Sequence, residues 1–577
     1  MPRLKDGLRA AAGALMNRSR SPPTHGDPPA CCRFGVGPWT GAAGMGHTLT
    51  MRTCMQRWGW TTALAGWLAV HTLGAPAAGP TFQEHWRPQF HFTPPSTWMN
   101  DPNGMVYYDG EYHLFYQNNP VGDRWGHMSW AHAVSRDLTH WEHLPLALAE
   151  ENGVMIFSGS AVVDWKNTSG FGRDGRPPLV AIYTGHHTTK PLQNQQIAFS
   201  NDRGRTWTKY SGNPVLDLGE ADFRDPKVFW HASTGRWVMA VSWPQHRQVR
   251  FYASANLKSW THLSDFGPAG SVAGIWECPD LFPVPVEGQP GKSRWVLVVN
   301  VGSGQPAGGS GTQYFVGEFD GTRFVADAGD GALWADHGSD FYAGVSWSDV
   351  PERDGRRLWL GWMSNWTYAN DVPTAPWRSA MSVPRELQVR GTPAGWRLIQ
   401  KPVRELQQLR GPAERVRHVA LDTANAWLAQ RRFPTGLAEV ELTLDRVPTS
   451  GSLTWECRYP GGAVTRVIAD FGASEIRVDR TSAGRSDFSP TFAGVHRGPL
   501  RIVDGRLDLR MLLDTSSLEV FAQGGETVLT DLILPPSPEL RFAITAAGRG
   551  RETRIASLSL RPLKSALPLI HTRAGTQ

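Results

Sequence analysis

The stretch WMNDPNGMVYYDGEYHLFYQ, residues 98–117, joins two signals whose combination decides the fold. Its second half, EYHLFYQ (111–117), is short, aromatic and apolar, and is bounded by Asp and Gly, which reads as a buried strand rather than a helix. Four further runs share that character: LVAIYTG (179–185), RWVMAVSW (236–243), RWVLVVNVG (294–302) and RLWLGWM (357–363). Three polar turns echo one another in the same region, SRDLTHW (135–141), SNDRGRTW (200–207) and SANLKSW (254–260), each delivering a tryptophan. Units that recur every 50 to 70 residues over about 300, with almost no helical periodicity, predict a five-bladed β-propeller.

The first half of the stretch, WMNDPNG (98–104), is turn chemistry: proline fixes one backbone angle and Asn-Gly supplies positive φ. Read alone it is a hairpin turn. Its place before the first run changes that reading, because FSGS (157–160), FRDP (223–226), WECPD (276–280) and SDFYAG (339–344) stand in the same relation to the other four. If the unit repeats, these motifs lie near the inner strands and converge on the central channel. Asp101, Asp225 and Glu277 are then expected in one pocket.

Near residue 400 the pattern changes. WRLIQKPVRELQQLRG (396–411) suggests a short helical or linker stretch, and strand-like pieces such as AEVELTLDRV, SEIRVDR and LDLRMLLD then alternate with Gly, Asp and Ser. The whole is expected to be all-β, with residues 81–400 as the propeller, 401–415 as a linker and 416–565 as a C-terminal β-sandwich. Residues 1–80 read as a leader. Within it MRTCMQRWGW, an apolar run and APAAG have the three parts of a signal peptide at about 51–77. A secreted protein, periplasmic or extracellular, with no stable membrane insertion once the leader is removed, is the expectation.

The net charge of +6 lies in that leader, where eight Lys/Arg face two acids; the remaining 50 bases and 50 acids cancel. A neutral body gives no electrostatic case for nucleic acid. Three of the five cysteines also lie in the leader, leaving Cys278 and Cys457, expected in different domains and unpaired. No zinc spacing or calcium-like loop is present.

Two carboxyl groups flanking one bond are what glycoside hydrolysis usually needs. Asp101, in a turn rich in N–H groups, is expected to be ionised, whereas Glu277, between Trp276 and Cys278, is expected to hold its proton. Asp225, beside Arg224, fits either a structural ion pair or a grip on sugar hydroxyls. Trp98, Trp125 and Trp362 adjoin the motifs and could wall a sugar ring, with Gln117 and Ser158 as polar contacts.

WMNDPNG, FYQNNP, FSGS, FRDP and WECPD, in this order, resemble the family-32 glycoside hydrolases, the β-fructofuranosidases. The resemblance continues through WMSNWTYANDVPTAPWRSAMSVPREL (362–387), RTSAGRSDFSP (480–490) and DTSSLEVFAQGG (514–525), and spans nearly all of 85–563. It implies a propeller followed by a sandwich, and a retaining exo-hydrolase of fructan ends, of levan or inulin type, that also cleaves sucrose and needs neither metal nor organic cofactor. Asp101 would then be the nucleophile, Glu277 the acid/base and Asp225 the transition-state stabiliser. Asn100, Gln117, Trp125, Phe157, Ser158, Arg224 and Trp362 would line the fructose pocket. A fructosyltransferase using the same intermediate, or a non-catalytic carbohydrate-binding propeller, are the alternatives.

Overall fold

The computed structural model describes residues 82–329 and 331–567 and is almost entirely β-sheet. The expected signal peptide lies outside the described residues. Among them, no helix is long and apolar enough to cross a membrane.

Five antiparallel sheets follow one another along the chain as blades. Their innermost strands are Thr97–Tyr108, Val154–Val163, Arg224–His231, Trp276–Pro285 and Tyr342–Ser346. The five apolar runs form the second strand of each blade, Glu111–Asn119, Leu179–His187, Arg236–Trp243, Ser293–Val301 and Arg357–Met363. A strand in that place is covered by neighbouring blades on both faces. Burial is accordingly continuous along Glu111–Asn119 and nearly so along Arg236–Trp243, which is why apolar residues in these runs do not keep to alternate positions. The echoed turns join third to fourth strands, and each is capped alike: Asp137, Asp202 and Asn256 accept backbone N–H bonds from residues two to four positions on. The ring closes at blade one, whose inner strand also pairs in parallel with Trp377–Arg378, a segment from the blade-five region.

WMNDPNG forms no hairpin turn. It is the extended inner strand of blade one, and the hairpin comes later, at Asp109-Gly110, where both residues have positive φ. The turn-forming residues serve a bulge instead. Pairing with the second strand breaks register at the same point in all five blades: at Asn100-Asp101, Ser158, Asp225-Pro226, Cys278-Pro279 and Ala343-Gly344. Proline suits a place where the ladder is already broken. The glycines of NDPNG and FSGS are needed for space. A Cβ on Gly104 would come within 2.6 Å of the Phe115 ring, and one on Gly159 within 2.1 Å of the Ile182 carbonyl oxygen.

Beyond the propeller, a six-stranded and a five-stranded sheet enclose one apolar core, including Trp455, Met511, Val520 and Ile544. The expected strands all appear. The stretch WRLIQKPVRELQQLRG divides: Gly395–Pro402 is the outer strand of blade five, Arg404–Leu409 is a 3-10 turn, and the first sandwich strand begins at Glu414. A helix at Leu421–Ala429, absent from the sequence-based expectation, buries Ala424 and Leu428 on that core. Its nine residues are too short a run for a helical period to stand out from the strands around it.

The two parts are joined by buried ion pairs. Arg480 of the sandwich bonds Asp340 at 2.6 Å and the Tyr368 hydroxyl at 2.9 Å, and Arg385 of the propeller bonds Glu519 at 2.6 Å and Asp336 at 3.1 Å. His91 lies 2.8 Å from both Asp514 and Glu519; although burial opposes charging it, these two carboxylates push its pKa up to about 9. Removed from water, each of these ionisable side chains depends on its partner. Arg480→Ala would leave the Asp340 carboxylate buried without its cation and should lower unfolding free energy by about 3–5 kcal/mol. Removing an exposed arginine, Arg458→Ala, should cost less than about 1 kcal/mol. Denaturant titration of both variants measures the contrast, and equal midpoints would contradict it.

Candidate active site

The five bulges stack around one end of the propeller axis, and they bring Asp101, Asp225 and Glu277 together. Asp225 and Cys278 adopt φ of +66° and +42°, left-handed values that favour glycine. The strain fixes where their side chains point. Asp225 Oδ2 accepts the Cys278 backbone N–H at 2.9 Å, so the bulges of blades three and four hold each other.

Asp101 is held from both oxygens. Ser158 Oγ donates to Oδ2 at 2.7 Å and the Asn100 amide to Oδ1 at 3.1 Å, while Asn100 is itself fixed by the Trp98 indole N–H at 2.7 Å. Glu277 is gripped by Arg224, whose Nε and Nη2 donate to Oε1 at 3.1 and 2.9 Å, and by the Tyr342 hydroxyl, 2.5 Å from Oε2. Arg224 is oriented in turn by Asp222 at 2.8 Å and Gln193 at 3.3 Å, and its Nε lies 3.9 Å from Asp225. Cys278 Sγ sits between two of the acids, 3.4 Å from Asp101 Oδ2 and 3.6 Å from Asp225 Oδ2.

Three carboxyl groups thus share one nearby guanidinium, and burial decides the electrostatics. It raises the pKa of Asp101, against the lowering effect of Ser158, with the Glu277 charge adding to the rise. It pushes Asp225 up to about 7, although Arg224 opposes this. Asp101 therefore departs from the readily ionised carboxylate expected of its turn, because the strand buries it and leaves its residue only 9% exposed. The apolar residues that flank Glu277 in sequence do not surround its carboxyl, since Trp276 points into the core between blades, while Arg224 and Tyr342 take its oxygens. Burial and the adjoining acids raise Cys278 and Tyr342 well above their usual range, so both remain donors near neutral pH.

The remaining expected residues divide by exposure. Trp125 is 42% exposed and meets the edge of Phe157 at 6.0 Å, and Phe157 stacks on His186 at 4.4 Å, forming an aromatic rim. Gln117 is buried and bonds the Ile156 carbonyl at 2.9 Å, so it braces the strand carrying Phe157 and Ser158. Trp362, expected as a pocket wall, is 0% exposed; it packs against Trp98, Tyr342 and Trp366 and supports the wall from behind. Trp98 is likewise fully buried. Tyr342 and Cys278 were not singled out as functional, yet both lie in motifs aligned by the repeat. Equivalence of SDFYAG with the other four was the available signal for Tyr342. Among the described residues, no cluster of His, Cys, Asp and Glu has the arrangement of a metal site.

Just beyond the carboxylates the axis narrows. The space next to them, bounded by Asn103, Ser160, Asp225, Lys227 and Ser346, measures about 20 Å³. That is room for about one water.

Comparison with known proteins agrees with this geometry. Residues 91–402 match the family description "Glycosyl hydrolases family 32 N-terminal domain" and residues 405–562 match the C-terminal domain of the same family. The levanase of Bacillus subtilis (strain 168) is 49% identical over 507 residues, covering 86% of this chain and 73% of that protein. An extracellular exo-inulinase of Aspergillus niger is 38% identical over 525 residues, covering 84% and 96%. Among solved structures, the exo-inulinase of Aspergillus awamori is similar with a TM-score of 0.76 at 36% identity, covering 84% of this chain and 99% of that one. The β-fructofuranosidase of Schwanniomyces occidentalis, complexed with fructosyl-erythritol, gives 0.75 at 33% identity, covering 83% and 98%. With both of its domains matched in order, this chain belongs to glycoside hydrolase family 32 and is a glycosidase of the β-fructofuranosidase class.

Proposed function

We infer that the protein is a secreted, retaining exo-β-fructosidase that releases terminal β-D-fructofuranosyl units from fructans of levan or inulin type and from sucrose. The observation that carries this reading is the placement of Asp101, Asp225 and Glu277 at the floor of a blind pocket with an aromatic rim, which suits a chain end. Its relatives' names, levanase and exo-inulinase, support the substrate class. Export is supported by the leader sequence and by the extracellular relatives.

In this reading Asp101 attacks the anomeric carbon, with Ser158 and Asn100 orienting the carboxylate. Glu277 protonates the leaving oxygen, its carboxyl held in place by Arg224 on Oε1 and by the Tyr342 hydroxyl on Oε2. The fructosyl–Asp101 ester is then opened by water that Glu277, now deprotonated, activates. Asp225 accepts hydrogen bonds from fructose hydroxyls, and these strengthen as positive charge develops on the ring. Burial also raises the proton affinity of Asp101 and Asp225, with Arg224 opposing the rise at Asp225.

Asp101→Ala should abolish turnover of sucrose and fructan, and Glu277→Gln should reduce it by roughly 10²–10⁴-fold, with unchanged circular dichroism. Wild-type activity in either variant would refute the assignment. NMR of the first product should show β-fructofuranose. The α anomer would instead put Asp101 in a general-base role, and oligosaccharides longer than the substrate would identify a transferase.

The Asp225 shift also predicts a stability profile. Its folded pKa is raised above the unfolded value of about 3.9, so the contribution is fully present below pH 4 and is lost as pH rises through about 7. Asp225→Asn removes the ionisation. The melting temperature of this variant relative to wild type should climb between pH 4 and 7, while its activity falls. A difference independent of pH would contradict the assignment of burial as the cause.

A further inference from the structure

The propeller axis has a second mouth. Following the inner strands away from the acids, past the narrow space at Lys227 and Ser346, a cavity of about 500 Å³ opens between blades two, three, four and five. The catalytic reading leaves it unused. Its walls include Trp165, Trp230 and Trp295, and polar groups are supplied by Lys166, Asp349 and Arg357.

Two described tryptophans are largely exposed. One is Trp125, at the rim of the active site, at 42%; the other is Trp165, on this cavity, at 60%. Trp165 is nevertheless fixed. Its indole N–H donates to Asp349 Oδ1 at 2.9 Å, and its ring meets Tyr108 edge-on at 5.8 Å. Asp349 is anchored in turn by the Val163 backbone N–H at 2.9 Å. An exposed aromatic face held in place from two sides is a platform whose ordering cost has already been met in the free protein. Across the cavity, Lys166 lies over the Trp230 ring at 4.5 Å. Arg357 packs over Phe282 and uses a single side-chain hydrogen bond, Nη1 to the Trp347 carbonyl at 3.2 Å, so Nε and Nη2 have no protein acceptor among the described residues.

We propose that this cavity is a second carbohydrate site, which holds a fructosyl segment of polymeric substrate on the face of the propeller opposite the acids. The chemistry is that of a polyol. Aromatic faces meet C–H groups, a guanidinium with free donors and a carboxylate with spare lone pairs read hydroxyls, and the volume falls within the usual range for small-ligand sites. An anionic ligand fits less well, because Asp349 faces the cavity and the Lys227 ammonium is already paired with Asp280 at 3.2 Å. The choice of fructosyl rests on the function inferred above. A polymer engaged at both mouths would bind with the advantage of a tethered second contact, whereas sucrose is too short to gain from it.

The test compares Trp165→Ala with wild type as full chains on sucrose and on levan and inulin. Expected are unchanged kcat and KM for sucrose, and a KM for at least one polymer raised roughly three- to tenfold with little change in kcat. A second readout uses the inactive Asp101→Asn/Glu277→Gln chain titrated calorimetrically with long fructo-oligosaccharides, with and without Trp165→Ala. Two binding sites should fall to one. Intact sucrose hydrolysis with unchanged polymer KM and unchanged stoichiometry would overturn the second site while leaving the proposed function standing. Absence of sucrose and fructan hydrolysis in wild type would overturn that function instead, and equal binding of dextran at the cavity would overturn the fructosyl assignment.

Discussion

A bulge at the same point of five inner strands is the constraint on which the rest of this structure depends. In a regular strand, side chains alternate between the two faces of a blade and none points along the propeller axis. Breaking the register at Asn100-Asp101, Ser158, Asp225-Pro226, Cys278-Pro279 and Ala343-Gly344 turns the local chain so that acids from blades one, three and four face one another. Left-handed backbone at a non-glycine residue costs on the order of 1–3 kcal/mol. Continuous burial of the second strands offsets that cost and keeps the inner strands from relaxing into regular pairing.

The same device explains the electrostatics. Carboxyl groups brought to the axis lose water, and only Arg224 lies close enough to compensate. The result is a site in which burial raises the proton affinity of Asp101 and Asp225, rather than one in which each acid carries an environment written by its sequence neighbours. Cys278 shows this well. Its place next to Glu277 in sequence suggested a small packing residue, and it is buried, but its thiol lies against the carboxyl groups of Asp101 and Asp225.

The sandwich supplies rigidity from outside the ring. Arg480, Asp514 and Glu519 come from motifs of the last domain, and each pairs with a charged propeller residue: Asp340, His91 and Arg385. Asp340 belongs to SDFYAG, the same motif that carries Tyr342 to Glu277. The clamp and the site are thus neighbours along one short segment, which gives a structural domain without active-site acids a bearing on where one acid's partner stands.

The amino-acid sequence by itself determined the repeat, and with it the architecture. Apolar runs at regular spacing allow little except stacked blades, and the position of each acidic motif before its run was enough to bring Asp101, Asp225 and Glu277 together. Local composition also marked the sandwich strands. Only the tertiary structure decided which tryptophans face a ligand, since Trp98 and Trp362 are wholly buried whereas Trp125 and Trp165 stand at the two mouths of the axis. It also decided that Asp101 is pushed up rather than freely ionised. The physical reason is range: strand periodicity and turn chemistry are carried by adjacent residues, whereas exposure and proton affinity are summed over groups that meet only after five blades have closed around them.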